Sequence, residues 1–283
     1  MGKPLSVAFT ADIDPDANRA RAGRVDAVSA GAREAGFDAC FRGLRLFLDL
    51  LEENSLPATL FWEGRTLEQL AHRQADLMAR VRQNESLEHG CHGYRHEDFA
   101  GQVSGIPLGR ARTRAILAQA GEVLGSALGA APAGFRAPYC RLTPDLTGAL
   151  VEEGYAYDAS LAREPSAAWG LRPYRLEGAP ALWELALCRS KDRQGKAISG
   201  YLWQLFEGRR PVEDYVELVG SLRQECSGGL LQVALHPWHL VVSEDGRPPA
   251  SDGTANPADR LRQFVERALG IDGMAFTTAG AYL

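Results

Sequence analysis

Apolar and polar residues alternate from Ser6 to Asp14, with Val7, Phe9, Ala11 and Ile13 on one side and Ser6, Ala8, Thr10, Asp12 and Asp14 on the other. A period of two predicts a strand over residues 6–14. Side chains two apart on a strand leave the same face, roughly 7 Å apart along it, so Asp12 and Asp14 share a face at the strand end. Leu44, Phe47, Leu48 and Leu51 then fall at helical spacing within 40–53, and 57–64 reads as a second strand. Further helices are expected at about 66–83, 110–128, 143–153, 211–225 and 257–269, and further strands at 86–91, 155–160, 181–187, 229–236 and 274–276. This alternation predicts a parallel sheet or barrel with covering helices. There is no internal repeat and no linker between two compositions, so one domain spanning 1–283 is expected, with 243–257 a surface loop.

Composition narrows the function classes. The 283 residues are 45% hydrophobic and 24% charged, enough to fold around a core and unlike a disordered chain. Thirty-one basic residues against 36 acidic ones give a net charge of -5 with no basic run, so nucleic acid is not an expected partner. No stretch approaches the roughly 18–20 apolar residues that cross a bilayer, and membrane insertion is not expected. The alternating segment begins too early to leave room for a signal peptide, which points to the cytoplasm. Five scattered cysteines without a paired spacing fit reduced thiols acting as small apolar fillers.

Four predicted strand ends carry polar residues ill suited to a core: Asp12 with Asp14, His92 with His96, Arg136, and His236. In a parallel βα arrangement such ends share one face, where active sites collect. The histidines of HGYRH are four apart, so one helical turn would aim both imidazoles at a single ion. Asp14 completes a set of two histidines and one carboxylate that leaves positions for water and substrate. His89 and His239 are spare ligand candidates.

FTADID, HGYRH, FRAPY and LQVALHPW follow one another as motifs do in the polysaccharide deacetylase family (carbohydrate esterase family 4), which the chain resembles from its first strand to its last residues. They stand at the family's Thr-Phe-Asp-Asp-Gly, His-(Ser/Thr/Gly)-x-x-His, Arg-x-Pro-Tyr/Trp and Leu-x-x-His motifs. LPATLFWEG, EEGYAYDAS and MAFTTAGAYL are similar to the segments between and after them. Two departures stand out. The adjacent aspartates of the family are here Asp12-Ile13-Asp14, and LWELAL, with Trp183 and Glu184, does not match the family's Asp/Trp motif. The partner of His236 is therefore unassigned.

The resemblance implies a distorted, TIM-like (β/α) barrel of about seven strands. It also implies a hydrolase that removes an N-acetyl or related acyl group from a carbohydrate or small-molecule amide. Asp14, His92 and His96 would hold a divalent ion, zinc first, with cobalt, nickel and iron as alternatives. Asp12 would be the general base, oriented by Arg136; the backbone N–H of Tyr139 would meet the oxyanion, and His236 would protonate the leaving amine. Trp238, Tyr94 and Trp62 would supply an apolar rim, and the loops 15–37 and 243–256 would border the pocket. Three rivals remain: an amidohydrolase of formamides or small cyclic ureides, which the missing export signal favours; an inactive carbohydrate-binding relative, against which the retained motif positions argue; and an iron oxygenase, which suits a jelly roll better. Oligomeric state has no signature in the sequence.

Overall fold

The computed structural model describes residues 3–15, 21–26, 34–166, 168–247 and 256–283. Its strands are β1 Leu5–Ile13, β2 Ala58–Trp62, β3 Leu87–Cys91, β4 Gly134–Phe135, β5 Tyr157–Asp158, β6 Ala162–Arg163, β7 Tyr174–Leu176, β8 Ala179–Glu184, β9 Leu187–Lys191, β10 Ala197–Ser199, β11 Leu230–Leu235 and β12 Met274–Phe276. Seven of them run parallel in the order β11-β1-β2-β3-β4-β5-β8, and β7 closes that path antiparallel to β8. This is the distorted barrel of about seven strands that the sequence implies. Residues 5–7 of β1 pair with β12, while residues 9–13 of the same strand pair with β2. β6, β9 and β10 form a smaller sheet, and the turn after β10 runs back along the outer edge of β11.

β1 is buried on both faces, Ser6 being its one partly exposed residue. The alternation in its sequence therefore separates two interiors, not core from solvent. Val7, Phe9, Ala11 and Ile13 belong to the large cluster that includes the helices, whereas Ala8 packs with Phe61, Tyr157, Leu185 and Leu230 in a second cluster. Further along that inner face come Thr10 and Asp12, also buried. An apolar inner layer thus gives way to a polar one toward the strand C-termini.

The helices follow their local signals. Phe37, Phe41, Leu44, Phe47, Leu48 and Leu51 repeat at three- and four-residue spacing along Glu34–Glu53 and are all buried. Full burial of each such side chain contributes about 1.5–3 kcal/mol. Thr143 and Asn256 cap Pro144–Glu152 and Pro257–Leu269, with proline at the first helical position of each. The helix expected over 66–83 is two, Gly64–Arg73 and Ala75–Gln83, broken at Gln74, whose φ of -138° is not helical. The strand expected over 181–187 is likewise divided between β8 and β9. Among the described residues, no helix is long and apolar enough to cross a membrane.

Candidate active site

Arg136 follows β4 directly and is completely buried. Its Nη1 donates to Asp12 Oδ1 at 2.9 Å, Nη2 to Gln232 Oε1 at 2.7 Å and Thr10 Oγ1 at 3.0 Å, and Nε to the Ala159 carbonyl at 2.9 Å. One face of the guanidinium lies 4.4 Å from the centroid of the Phe61 ring. A buried cation needs this degree of pairing. Burial works to raise the Asp12 pKa, but the charge of Arg136, the imidazoles of His92 and His236 and a hydrogen bond from Tyr201 outweigh it and hold the carboxyl at about 2.

His92 leaves the end of β3, and its Nδ1 donates to the Arg136 carbonyl at 2.7 Å. That bond fixes the tautomer and turns the lone pair of Nε2 toward Asp14. The segment from His92 to His96 is a loop, not the helical turn expected from the four-residue spacing. Gly93 and His96 have φ values of +79° and +53°, and the Glu97 carboxylate accepts from the backbone N–H groups of Tyr94 at 3.0 Å and Arg95 at 2.8 Å. A turn wound around a buried carboxylate, which no periodicity registers, brings the imidazoles together. Their ring centroids are 5.0 Å apart, and the His96 ring meets that of Tyr139 at 4.7 Å. Tyr139 and Cys140 also carry positive φ values, 61° and 53°, a strained turn of the kind found at functional sites.

The Asp14 carboxylate is the centre of the cluster. Oδ1 accepts from the Trp238 indole at 3.1 Å, while Oδ2 has no hydrogen-bond partner. Around Oδ2 stand Nε2 of His96 and of His236, each at 3.4 Å, and Nε2 of His92 at 3.7 Å. One ligand atom each from Asp14, His92 and His96 lie within 4.8 Å of one another. A tetrahedral ion with bonds near 2.0–2.1 Å would space its ligands roughly 3.3 Å apart. Burial depresses both histidine pKa values, that of His96 to about 3, so both rings are in the neutral form that ligates metal. Orphaned buried atoms, Asp14 Oδ2 and His92 Nε2 among them, give this donor set the character of a cation site.

His236 directly follows β11 and is the more open member, its side chain 15% exposed against 2% for Asp14. Trp203 and Trp238 pack on its ring, with centroids 5.6 and 5.3 Å away. The Asp14 and Asp12 carboxylates raise its pKa, against the opposing effect of burial. The Tyr201 hydroxyl lies 2.8 Å from His236 Nδ1 and donates to Asp12 Oδ2 at 2.8 Å. Tyr201, Gln232 and Thr10 thus join the site although the sequence did not single them out. For Thr10 a signal existed, since it shares the face of Asp12 on β1.

Other expectations are corrected. Trp62 and Trp238 are shut off from solvent at 0% and 1% exposure, so neither ring is a rim. The Trp62 indole donates to His89 at 3.1 Å and that of Trp238 holds Asp14. His89 is thereby tied into the wall of the sheet, and burial lowers its pKa to about 4. His239 bonds Glu207 and stacks on Trp238, apart from the ligand set. Of the loops expected to border the pocket, residues 16–20, 27–33 and 248–255 lie outside the described residues.

Residues 36–157 match the family model described as polysaccharide deacetylase. That segment contains His92, His96, Arg136 and Tyr139, but not Asp12, Asp14 or His236. The peptidoglycan deacetylase of Helicobacter pylori is 28% identical over 162 residues, covering 57% of this chain and 51% of that protein, so the match spans about half the relative's length. A polysaccharide deacetylase-type protein from Mycobacterium smegmatis has the same fold, with a TM-score of 0.68 at 23% identity over 99% of this chain and 89% of its own. An allantoinase has it too, with a TM-score of 0.66 at 18% identity over 98% of this chain and 88% of its own. The resemblance read from the motifs is borne out: the chain is similar to the polysaccharide deacetylase family in sequence over residues 36–157 and in fold over nearly its whole length.

Proposed function

We propose that this chain is a metal-dependent hydrolase that removes an N-acetyl or related N-acyl group from a sugar-containing substrate. The observation that carries the reading is the unpaired Asp14 oxygen ringed by three imidazole nitrogens at 3.4–3.7 Å, beside an aspartate already bound by a buried arginine. Asp14, His92 and His96 would hold a divalent ion, zinc by the donor types, which when bound supplies Lewis acidity to the amide carbonyl and the attacking water. Asp12 accepts the proton that the water loses as its oxygen bonds to the carbonyl carbon, and Arg136 keeps that carboxylate ionised and oriented. The backbone N–H of Tyr139 donates to the oxyanion. His236 gives a proton to the nitrogen as the C–N bond breaks, so the products are a carboxylic acid and an amine.

Hydrolysis of a formamide or small cyclic ureide is the second reading, supported by the fold shared with an allantoinase; sequence similarity stands on the deacetylase side. The test is to incubate the purified protein with zinc or cobalt and N-acetylated sugars, chitooligosaccharides, formamides and ureides. Acetate and free amine from the N-acetyl sugars are expected. Turnover of ureides or formamides alone would favour the second reading, and no turnover would leave an inactive relative.

A further inference from the structure

We propose that Tyr201 is a positioning residue that joins the base to the acid: it donates to Asp12, receives a hydrogen bond from Nδ1 of His236, and so leaves the other imidazole nitrogen to serve the substrate. The roles of Asp12 and His236 rest on the function proposed above; the hydrogen-bond geometry does not.

The backbone puts Tyr201 beside β11. Gly200 accepts from the Ala234 N–H at 2.8 Å, and the Ala234 carbonyl accepts from the Leu202 N–H at 2.8 Å. Glycine is required at 200, because a Cβ there would lie 2.3 Å from the Gln232 carbonyl oxygen. The phenol therefore reaches across to His236, two residues beyond Ala234, and to Asp12 on the neighbouring β1.

Counting hydrogens decides the direction of each bond. A phenol has one. The Asp12 carboxylate, with Arg136 on Oδ1, can only accept, so the phenol hydrogen belongs to Oδ2 at 2.8 Å. The 2.8 Å contact between the phenol oxygen and His236 Nδ1 must then be made with a hydrogen from the imidazole. The hydroxyl also lies 3.2 Å from Nε2, but the Nδ1 contact is the shorter of the two. The neutral ring is thereby held as the Nδ1–H tautomer, with Nε2 facing the Asp14 cluster. Trp203 and Trp238 restrain the ring against rotation.

The test reads the tautomer directly. In the full-length protein labelled with 15N-histidine, with His236 assigned by loss of its signals in His236→Gln, the neutral ring should show a protonated, pyrrole-type Nδ1 and a pyridine-type Nε2. Tyr201→Phe keeps the ring contacts and deletes the hydroxyl, and there the proton should redistribute to Nε2. On an N-acetyl sugar the same variant should lose at least about tenfold in kcat with KM unchanged, and lose less on an aryl acetate, whose leaving group needs little protonation. A wild-type ring protonated on Nε2, or a tautomer indifferent to Tyr201→Phe, would overturn the proposal. Failure of the wild type to cleave any N-acyl sugar would overturn the functional reading instead, because the tautomer is read in the resting protein.

Discussion

Arg136 is the residue on which the interior polar layer depends, because its guanidinium holds Asp12 and also bonds groups on β1 and β11. Arg136→Met would leave the Asp12 carboxylate buried without its cation, at a cost of about 3–5 kcal/mol in denaturant unfolding. Arg136→Lys should recover little of it, since an ammonium cannot reach several partners from one plane. Asp12→Asn has a different expected signature: metal content unchanged by elemental analysis, and activity down by a factor on the order of 10² or more, the usual worth of a general base. A second buried pair gives a pH effect. Asp158 and Glu184 face each other across β5 and β8, and Ser160 donates to Asp158 through both its N–H and its hydroxyl. With these two hydrogen bonds Asp158 is the anion of the buried pair and Glu184 the proton holder; burial, followed by the Asp158 charge, raises the Glu184 pKa well above its ordinary value of 4.5. The folded state then keeps a proton that the unfolded chain releases, so this group's contribution to stability is full below pH 4.5 and falls as pH rises toward the folded pKa. Glu184→Gln preserves the donor to Asp158 and removes that dependence; its melting temperature should gain on wild type between pH 6 and 9. Arg136, Asp12 near the end of β1 and Asp14 just past it could be read from the sequence because they sit next to strong strand patterns. Tyr201 could not, since an edge segment after a three-residue strand has no periodicity and its value lies in a contact 189 residues away in sequence.

At the level of elements, the helix Glu34–Glu53 presses on the segment that carries His236. A Cβ on Gly43 would stand 1.8 Å from the Pro237 carbonyl oxygen, so helix and turn touch backbone to backbone there. Gly43→Ala must displace Pro237 and with it His236 and the Trp238 indole that holds Asp14. Activity should fall more than tenfold and metal affinity should weaken, while far-UV circular dichroism stays close to wild type; unchanged kinetics would show that the turn absorbs the methyl. The long helices and β1, β2 and β11 were legible because each is a sustained run of one period. The breaks were not: Gln74 interrupts a continuous helical pattern, and the HGYRH turn depends on Glu97 accepting two backbone N–H groups, a local carboxylate contact that imitates nothing in the hydrophobic pattern.

For the whole molecule, parallel order does the positioning. Because β1, β3, β4 and β11 run the same way, residues as distant as Asp12, His92, Arg136 and His236 reach one end of the barrel, and the apolar layer beneath them stays closed. At 87–88 the sheet is tied to the last strand's turn, where Glu88 accepts from Thr59, Tyr157 and the Gly280 N–H. The sequence disclosed this arrangement through its alternation of strands and helices, while the second small sheet, whose strands are two to five residues long, fell below what a pattern can register. The measurement that most directly tests the account is acetate release from an N-acetylated chitooligosaccharide by one preparation, first stripped of metal with a chelator and then reloaded with zinc. Loss of turnover on stripping and its return at one zinc per chain is the expected result. Undiminished turnover by protein shown to be metal-free would contradict the account.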